Sequence, residues 1–193
     1  MKLKKRYKIF IIISSVIASG YLAIAMCYNE PIKYIGVTPL NNRFIQEQIK
    51  HDILELETEE EIEKYSLKFT GELLYFTDKQ EFRSPSNLSL DRATGAHCVG
   101  YSQVCTAICN YAFKQKGMTH VNARHMRGDV KWFGIPLTKI LKWSFNKVGM
   151  PKWAAFCQDH DYVEVINSNT KEVVSFDPSV YDLLGLQLRH NHL

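Results

Sequence analysis

The chain reads TGAHCVGYSQVCTAICNYAFKQKG from residue 94 to residue 117. Glycines at 95 and 100 flank Cys98, and the apolar run that follows predicts a helix from Cys98 to about Lys116, stopped by Gly117. Unpaired N–H groups and the dipole at a helix start favour a thiolate. We therefore interpret Cys98 as a nucleophile rather than a core cysteine, and we expect the two glycines to let a substrate approach the backbone.

A second stretch reads HDYVEVINSNTKEVVSFD from residue 160 to residue 177. Its alternating apolar residues predict strands over about 153–166 and 171–177, joined by a turn at 167–170. That turn places His160 directly opposite Asp177 on the same side of the sheet, with Cβ atoms roughly 4.5–5.5 Å apart.

Side-chain alternation turns Asp159 and Asp161 to the other face of this sheet. The pairing of His160 with Asp177 depends on the register, which a one-residue error in the turn would break. Cys98, His160 and Asp177 follow one another in an order that supplies a nucleophile, its base and the group that orients the base. The sequence therefore predicts a thiol enzyme.

The N-terminus predicts a membrane segment. Five basic residues precede Ile9, and no charge occurs from Ile9 to Tyr28, a length that spans a bilayer core as a helix. The basic flank stays in the cytoplasm, so the rest of the chain is exported. Residues 1–28 are either a retained anchor or a signal peptide cut after Ala25, with lipidation of Cys27 as a third interpretation.

The remaining chain has the length and composition of one globular domain, which we place at residues 42–193 after a linker at 29–41. Asn41-Asn42 and a capping box at Thr58 predict two helices, and a shorter helix is expected after Pro136. Helices followed by a hairpin indicate an α+β fold. Outside the N-terminal basic cluster the charge is close to neutral, which argues against nucleic-acid binding.

The other cysteines allow one rival interpretation. Cys105, Cys109, Cys157 and His160 could form a zinc site, but Cys157 and His160 would point to opposite faces of a strand. Packing of the helix on the sheet is the better interpretation of Cys105 and Cys109. His97, beside the nucleophile, is interpreted as a rim residue rather than a second base.

Four short blocks together resemble the transglutaminase-like proteins. They are GAHCVGYS at residues 95–102, ARHMRGDV at residues 123–130, HDYVEV at residues 160–165, and FDPS at residues 176–179. The blocks occur in the family's order and span about half of the chain. Tyr162 stands where the family usually has Trp, and no side chain matches the family's second oxyanion donor.

This resemblance implies a papain-like α+β core with Cys98 as nucleophile, His160 as base and Asp177 as orienting residue, without cofactor or metal. It implies attack on amide bonds of a protein or peptide through a thioester, and we expect hydrolysis rather than cross-linking. The alternatives are a binding module on the same fold without turnover and a zinc-stabilised interaction domain. The expected location is membrane-anchored or secreted.

Overall fold

The computed structural model of the protein describes residues 27–77, 81–137, 139, 160–185 and 189–192. The helices of these residues are α1 (Arg43–Glu55), α2 (Glu59–Leu73), α3 (Cys98–Gln115) and α4 (Pro178–Leu184). The strands are β1 (Cys27–Gly36), β2 (Leu74–Phe76), β3 (Thr94–Ala96), β4 (Val121–Trp132), β5 (Ile135–Pro136), β6 (His160–Asn167), β7 (Val173–Phe176) and β8 (His190–His192). The predicted α+β class is confirmed.

The main sheet is antiparallel, in the order β1-β4-β6-β7-β8, with β5 paired to β4. Helix α3 packs against β4 and β6, and its buried Val104 and Ile108 share one core with Val163 and Val165 of β6. The predicted arrangement of a helix that starts at a cysteine and packs on a small antiparallel sheet is therefore present. Strands β2 and β3 form a separate parallel pair beside the start of α3.

Both helices predicted from their caps are confirmed. The Asn42 side chain accepts a hydrogen bond from the Ile45 N–H at 3.2 Å. At α2, Thr58 and Glu61 form the reciprocal capping box, with bonds of 3.2 and 2.9 Å. These contacts satisfy N–H groups that have no partner within a helix.

The interpretation of residues 29–41 as a linker is wrong for the part that forms β1. Residues 27–36 are an edge strand that pairs with β4. Pro31 and Gly36 border the two register shifts of this pairing, and proline is tolerated at such positions because an edge strand does not need every N–H for the ladder. The turn residues therefore mark irregularities in a strand and not a break between segments.

The predicted register of the hairpin is wrong by two residues. Val163 lies opposite Phe176, whereas the predicted turn would place it opposite Val174. The Asn167 side chain accepts hydrogen bonds from the N–H groups of Asn169 and Thr170, so the turn follows Asn167 and does not begin at it. Because the shift is an even number of residues, His160 and Asp177 stay on the same side as diagonal neighbours.

Several predictions fall outside the described residues. These are the N-terminal segment up to residue 26, residues 153–159 of the first predicted hairpin strand (Cys157 and Asp159 among them), and almost all of the helix expected after Pro136. Among the residues that are described, no helix has the length and apolar character needed to cross a membrane.

Gly128 generates a test of the sheet. It lies on the central strand β4, between Pro31 of β1 and His160 of β6. A Cβ atom here would overlap the Glu30 carbonyl oxygen and lie 3.0 Å from the Tyr162 ring. Since the obstacle is backbone, we expect Gly128→Ala to lower the free energy of unfolding by about 2–3 kcal/mol in a urea titration.

Gly71→Ala is the matched control for that substitution. Its Cβ would meet only the end of the Asp182 side chain, at 2.7 Å, and alanine favours the helical conformation by about 1 kcal/mol over glycine. We expect a loss below about 1 kcal/mol for the control. Equal losses for the two variants would contradict the packing argument.

Candidate active site

The start of α3 is enclosed on the side of β3. A Cβ atom at Gly95 would lie 2.8 Å from the Thr77 side chain, and one at Gly100 would lie 2.8 Å from Ala96. Both glycines therefore make close internal packing possible. The expectation that they open the backbone to a substrate is wrong, because protein side chains already occupy that space.

Cys98 is the first residue of α3 and its side chain is half-buried. The residue before it, His97, is the N-cap, and its side chain accepts a hydrogen bond from the Val99 N–H at 3.3 Å. The predicted helix start is confirmed. The capping role of His97 was not predicted from the sequence. The thiol thus lies where the first-turn N–H groups favour negative charge.

His160 and Asp177 form a buried pair beside this thiol. His160 Nε2 hydrogen-bonds to Asp177 Oδ2, and the side chains are 5% and 3% exposed. Cys98 lies beside this imidazole, close enough for its side chain to help raise the pKa of His160. Because Nε2 is taken by the carboxylate, Nδ1 is the ring nitrogen left to face the sulfur. The three residues selected from the sequence therefore meet.

The electrostatics of the pair favour the charged forms of both partners. Burial by itself would lower the pKa of His160, but the Asp177 charge and hydrogen bond, together with Cys98, raise the pKa well above its ordinary value. Burial would raise the pKa of Asp177, whereas His160 and hydrogen bonds from Ser179 and Val180 hold it below its ordinary value. The arrangement is that of an imidazolium held by a carboxylate.

The second carboxylate oxygen of Asp177 caps the N-terminus of helix α4. Oδ1 accepts hydrogen bonds from the Ser179 N–H at 3.0 Å, the Ser179 hydroxyl at 2.7 Å and the Val180 N–H at 3.0 Å. Asp177 is thus the N-cap of α4, with Pro178 at its first position. This helix was not predicted from the sequence, although an Asp followed by Pro is a recognisable helix start.

A contact between helices fixes α4 relative to the thiol. The Tyr101 hydroxyl donates a hydrogen bond to Asp182 Oδ2, and Tyr101 lies one turn after Cys98 on α3. Burial, followed by this carboxylate, raises the pKa of the Tyr101 phenol, so the phenol stays a donor. Ser179, Tyr101 and Asp182 are supporting residues that spacing along the sequence could not assign.

A second buried carboxylate, that of Asp161, directly follows His160 on β6. Asp161 Oδ1 is 2.9 Å from His125 Nε2, and the Arg127 guanidinium reaches both carboxylate oxygens at 3.3 Å. Burial would raise the pKa of Asp161, but these two partners hold it below its ordinary value. The partners of Asp161 are His125 and Arg127, so Asp161 does not compete with Asp177 for His160.

Two cysteines of the rival zinc interpretation, Cys105 and Cys109, lie in the core, and Cys157 lies outside the described residues. Cys105 and Cys109 are fully buried in the core, and burial and then Cys109 raise the pKa of the Cys105 thiol well above its ordinary value. Within the described ranges, no three His, Cys, Asp or Glu side chains are grouped so that they could hold a metal. The two helix cysteines pack α3.

Comparison with protein-family models, with curated proteins and with solved structures finds no match to this chain.

Asp177→Asn tests the ion pair through stability, since asparagine also caps a helix well. The raised pKa of His160 contributes stability below about pH 6.5 that is lost as the pH rises through the folded pKa. The lowered pKa of Asp177 contributes stability above about pH 4 that is lost as the pH falls through its folded pKa. We therefore expect the variant to lose most stability between about pH 4 and 6.5, and clearly less at high pH, in urea titrations.

Asp182→Asn is the control, because the same chemical change is made in α4 at a carboxyl whose partner is a phenol. Its effect on the free energy of unfolding should show no loss that is concentrated between pH 4 and 6.5. A loss for Asp177→Asn that stays constant from pH 5 to pH 10 would rule out the imidazolium–carboxylate pair.

Proposed function

We propose that the protein is a thiol enzyme that attacks amide bonds of proteins or peptides through a cysteine thioester. The observation that carries this proposal is the position of Cys98, at the start of a helix and beside the buried His160–Asp177 pair. The reaction needs a cation that stabilises the thiolate and an acid that later protonates the leaving nitrogen. One imidazolium can meet both needs.

Two further observations support the transglutaminase-like form of this proposal, with a papain-like core. The four sequence blocks lie on α3, β4, β6 and the β7–α4 junction, so the segments that resemble the family are the ones around the site. Helix α3, which begins at the proposed nucleophile, also packs on the antiparallel sheet. His160 is the first residue of β6, and Asp177 directly follows the neighbouring strand β7. The membrane-anchored or secreted location belongs to the same proposal and depends on residues 1–28.

The proposed reaction begins with the Cys98 thiolate. The sulfur attacks the carbonyl carbon, an S–C bond forms, and the carbonyl electron pair moves to the oxygen. When the C–N bond breaks, the leaving nitrogen takes the proton held by His160, and an amine departs from the thioester. His160 then accepts a proton from water as the water attacks, which releases the acid and regenerates the thiolate and imidazolium.

Asp177 keeps the imidazole oriented through both half-reactions, because its Oδ1 contacts to α4 leave Oδ2 directed at the ring. Hydrolysis is proposed over transfer to a second amine, because water is abundant. No described feature forms a dedicated site for an acceptor amine.

Alkylation of the thiol tests the proposed activation. We expect iodoacetamide to label Cys98 at pH 6 at least tenfold faster than an ordinary thiol, which is mostly protonated there. His160→Ala should abolish this advantage. Mass spectrometry of peptides locates the label, and His120→Ala, which changes a half-exposed imidazole elsewhere, is the control.

Alkylation that rises only above about pH 8 and is insensitive to His160→Ala would overturn the proposed activation. It would leave the binding-module interpretation.

Turnover is tested by incubating a complex peptide mixture with the full chain and with Cys98→Ala. New peptide termini indicate cleavage of the main chain, a gain of one mass unit at glutamine indicates side-chain deamidation, and adducts of an added labelled amine indicate transfer. We expect hydrolytic products that depend on Cys98. Because the thiol is only half-buried at a helix start, the melting temperature should change little, and an activity that Cys98→Ala retains would contradict the proposal.

A further inference from the structure

The tetrahedral intermediate of the proposed reaction carries a negatively charged oxygen that needs hydrogen-bond donors. The Cys98 N–H is one candidate, since N–H groups of a first helical turn have no carbonyl partner within the helix. The next N–H, that of Val99, is bonded to the His97 side chain. A side chain beside the helix start can supply a second donor.

His97 is held in one orientation at this position. Its backbone is extended, with φ −108° and ψ −172°, and its ring folds over the first turn of α3 to contact the Val99 N–H at 3.3 Å. The contact uses the lone pair of Nδ1, so the neutral ring carries its proton on Nε2. The cap thereby fixes both the orientation and the tautomer of the imidazole.

The outward Nε2–H is kept as a neutral donor. Burial lowers the pKa of His97, and the nearby Asp161 charge opposes that effect only in part. Both oxygens of Asp161 already accept hydrogen bonds from Arg127, and one of them also lies against His125. Among the described residues, no acceptor lies within hydrogen-bond distance of His97 Nε2, which leaves its proton available to a substrate.

The choice of residue gives an independent argument. Ser, Thr, Asp and Asn are the side chains that cap helices best, and any of them would satisfy the Val99 N–H with fewer atoms. A histidine that is half-buried and adjacent to the proposed nucleophile supplies the same acceptor and adds a donor on the far side of its ring. Capping alone does not require that second nitrogen.

We propose that His97 is a catalytic residue whose Nε2–H donates a hydrogen bond to the oxyanion formed when Cys98 attacks a carbonyl carbon. This inference rests on the proposed function of Cys98. In the step itself, the S–C bond forms and the carbonyl electron pair moves to the oxygen, where the Nε2–H and the Cys98 N–H meet it. No proton leaves His97, and collapse of the intermediate restores the carbonyl and breaks the bond to the leaving group.

The experiment compares two reactions of the same thiol in wild-type full-length protein and in His97→Ser. Acylation by p-nitrophenyl acetate passes through an oxyanion and is followed by the release of p-nitrophenolate. Alkylation by iodoacetamide forms no oxyanion and reports only the thiolate and its access. Serine keeps an acceptor for the Val99 N–H but carries no nitrogen.

We expect acylation to fall by about 10²-fold in His97→Ser, the effect typical of losing one oxyanion donor. Alkylation of Cys98 and its dependence on pH should stay within about twofold of the wild type. His120→Ser is the matched control and should change neither rate. If His97→Ser melts at a much lower temperature, His97→Asn replaces it, because asparagine is also a preferred cap and has no atom at the Nε2 position.

Two results would overturn the assignment. Equal losses in acylation and alkylation would show that His97 acts on the thiol through the helix start, and unchanged acylation would show that it has no part in the step. Failure of the proposed function is a separate result, because it appears in the wild type as alkylation with the pH dependence of an ordinary thiol.

Discussion

The carboxylate of Asp177 is the group on which the site depends, because its two oxygens serve two structures. Oδ2 holds the His160 imidazole, while Oδ1 accepts the hydrogen bonds that begin helix α4. A buried carboxylate without partners is costly, and here every partner is a donor from the site or from the cap. The position of the proposed base and the start of α4 are therefore set by one side chain.

This sharing also explains how residues far apart in sequence hold a common geometry. Helix α4 contacts α3 through the Tyr101–Asp182 hydrogen bond, and α3 begins at Cys98. Movement of α4 away from α3 would carry Asp177 with it and would pull the imidazole from the thiol. The hydrogen bond between α3 and α4 thus helps to hold the geometry on which the proposed proton transfer depends.

Strand β6 carries two adjacent residues that belong to different carboxylate–imidazole pairs. His160 is paired with Asp177, whereas Asp161 is paired with His125. The two pairs share no side chain although His160 and Asp161 are neighbours in sequence. Arg127 adds a cation to the second system, so the negative charge of Asp161 is compensated locally and not by His160.

The parts of the fold that local chemistry determines could be predicted from the sequence. Asn42 and Thr58 specify their helices within a few residues, and Cys98 follows a cap and precedes an apolar run. The order of Cys98, His160 and Asp177 was sufficient to select three residues that meet. Their selection survived the wrong register only because the error moved the strands by an even number of residues.

The rest depends on contacts between distant segments. Strand β4 buries His125 and carries Arg127 and Asp129, so it lacks the apolar alternation that predicts a strand. His125 and Arg127 find their common partner in Asp161, far along the chain. Strand β1 contains Pro31, and a proline in a segment of unknown position indicates a linker. Only the position of β1 at the edge of the sheet explains how the strand accommodates it. The turn was predicted to begin at Asn167, but Asn167 is the last residue of β6 and its side-chain oxygen accepts hydrogen bonds from the N–H groups of Asn169 and Thr170 in the turn that follows.

The residue before Cys98 shows how several physical demands restrict one position. It must accept a hydrogen bond from the Val99 N–H, and it must not bring a negative charge next to the proposed thiolate. Aspartate meets the first demand but not the second, since a like charge disfavours the thiolate. A neutral imidazole meets both, as a hydroxyl or an amide would, and burial lowers the pKa of His97 and so favours the neutral form. The cap therefore stabilises the helix without opposing the charge that the helix start is proposed to support.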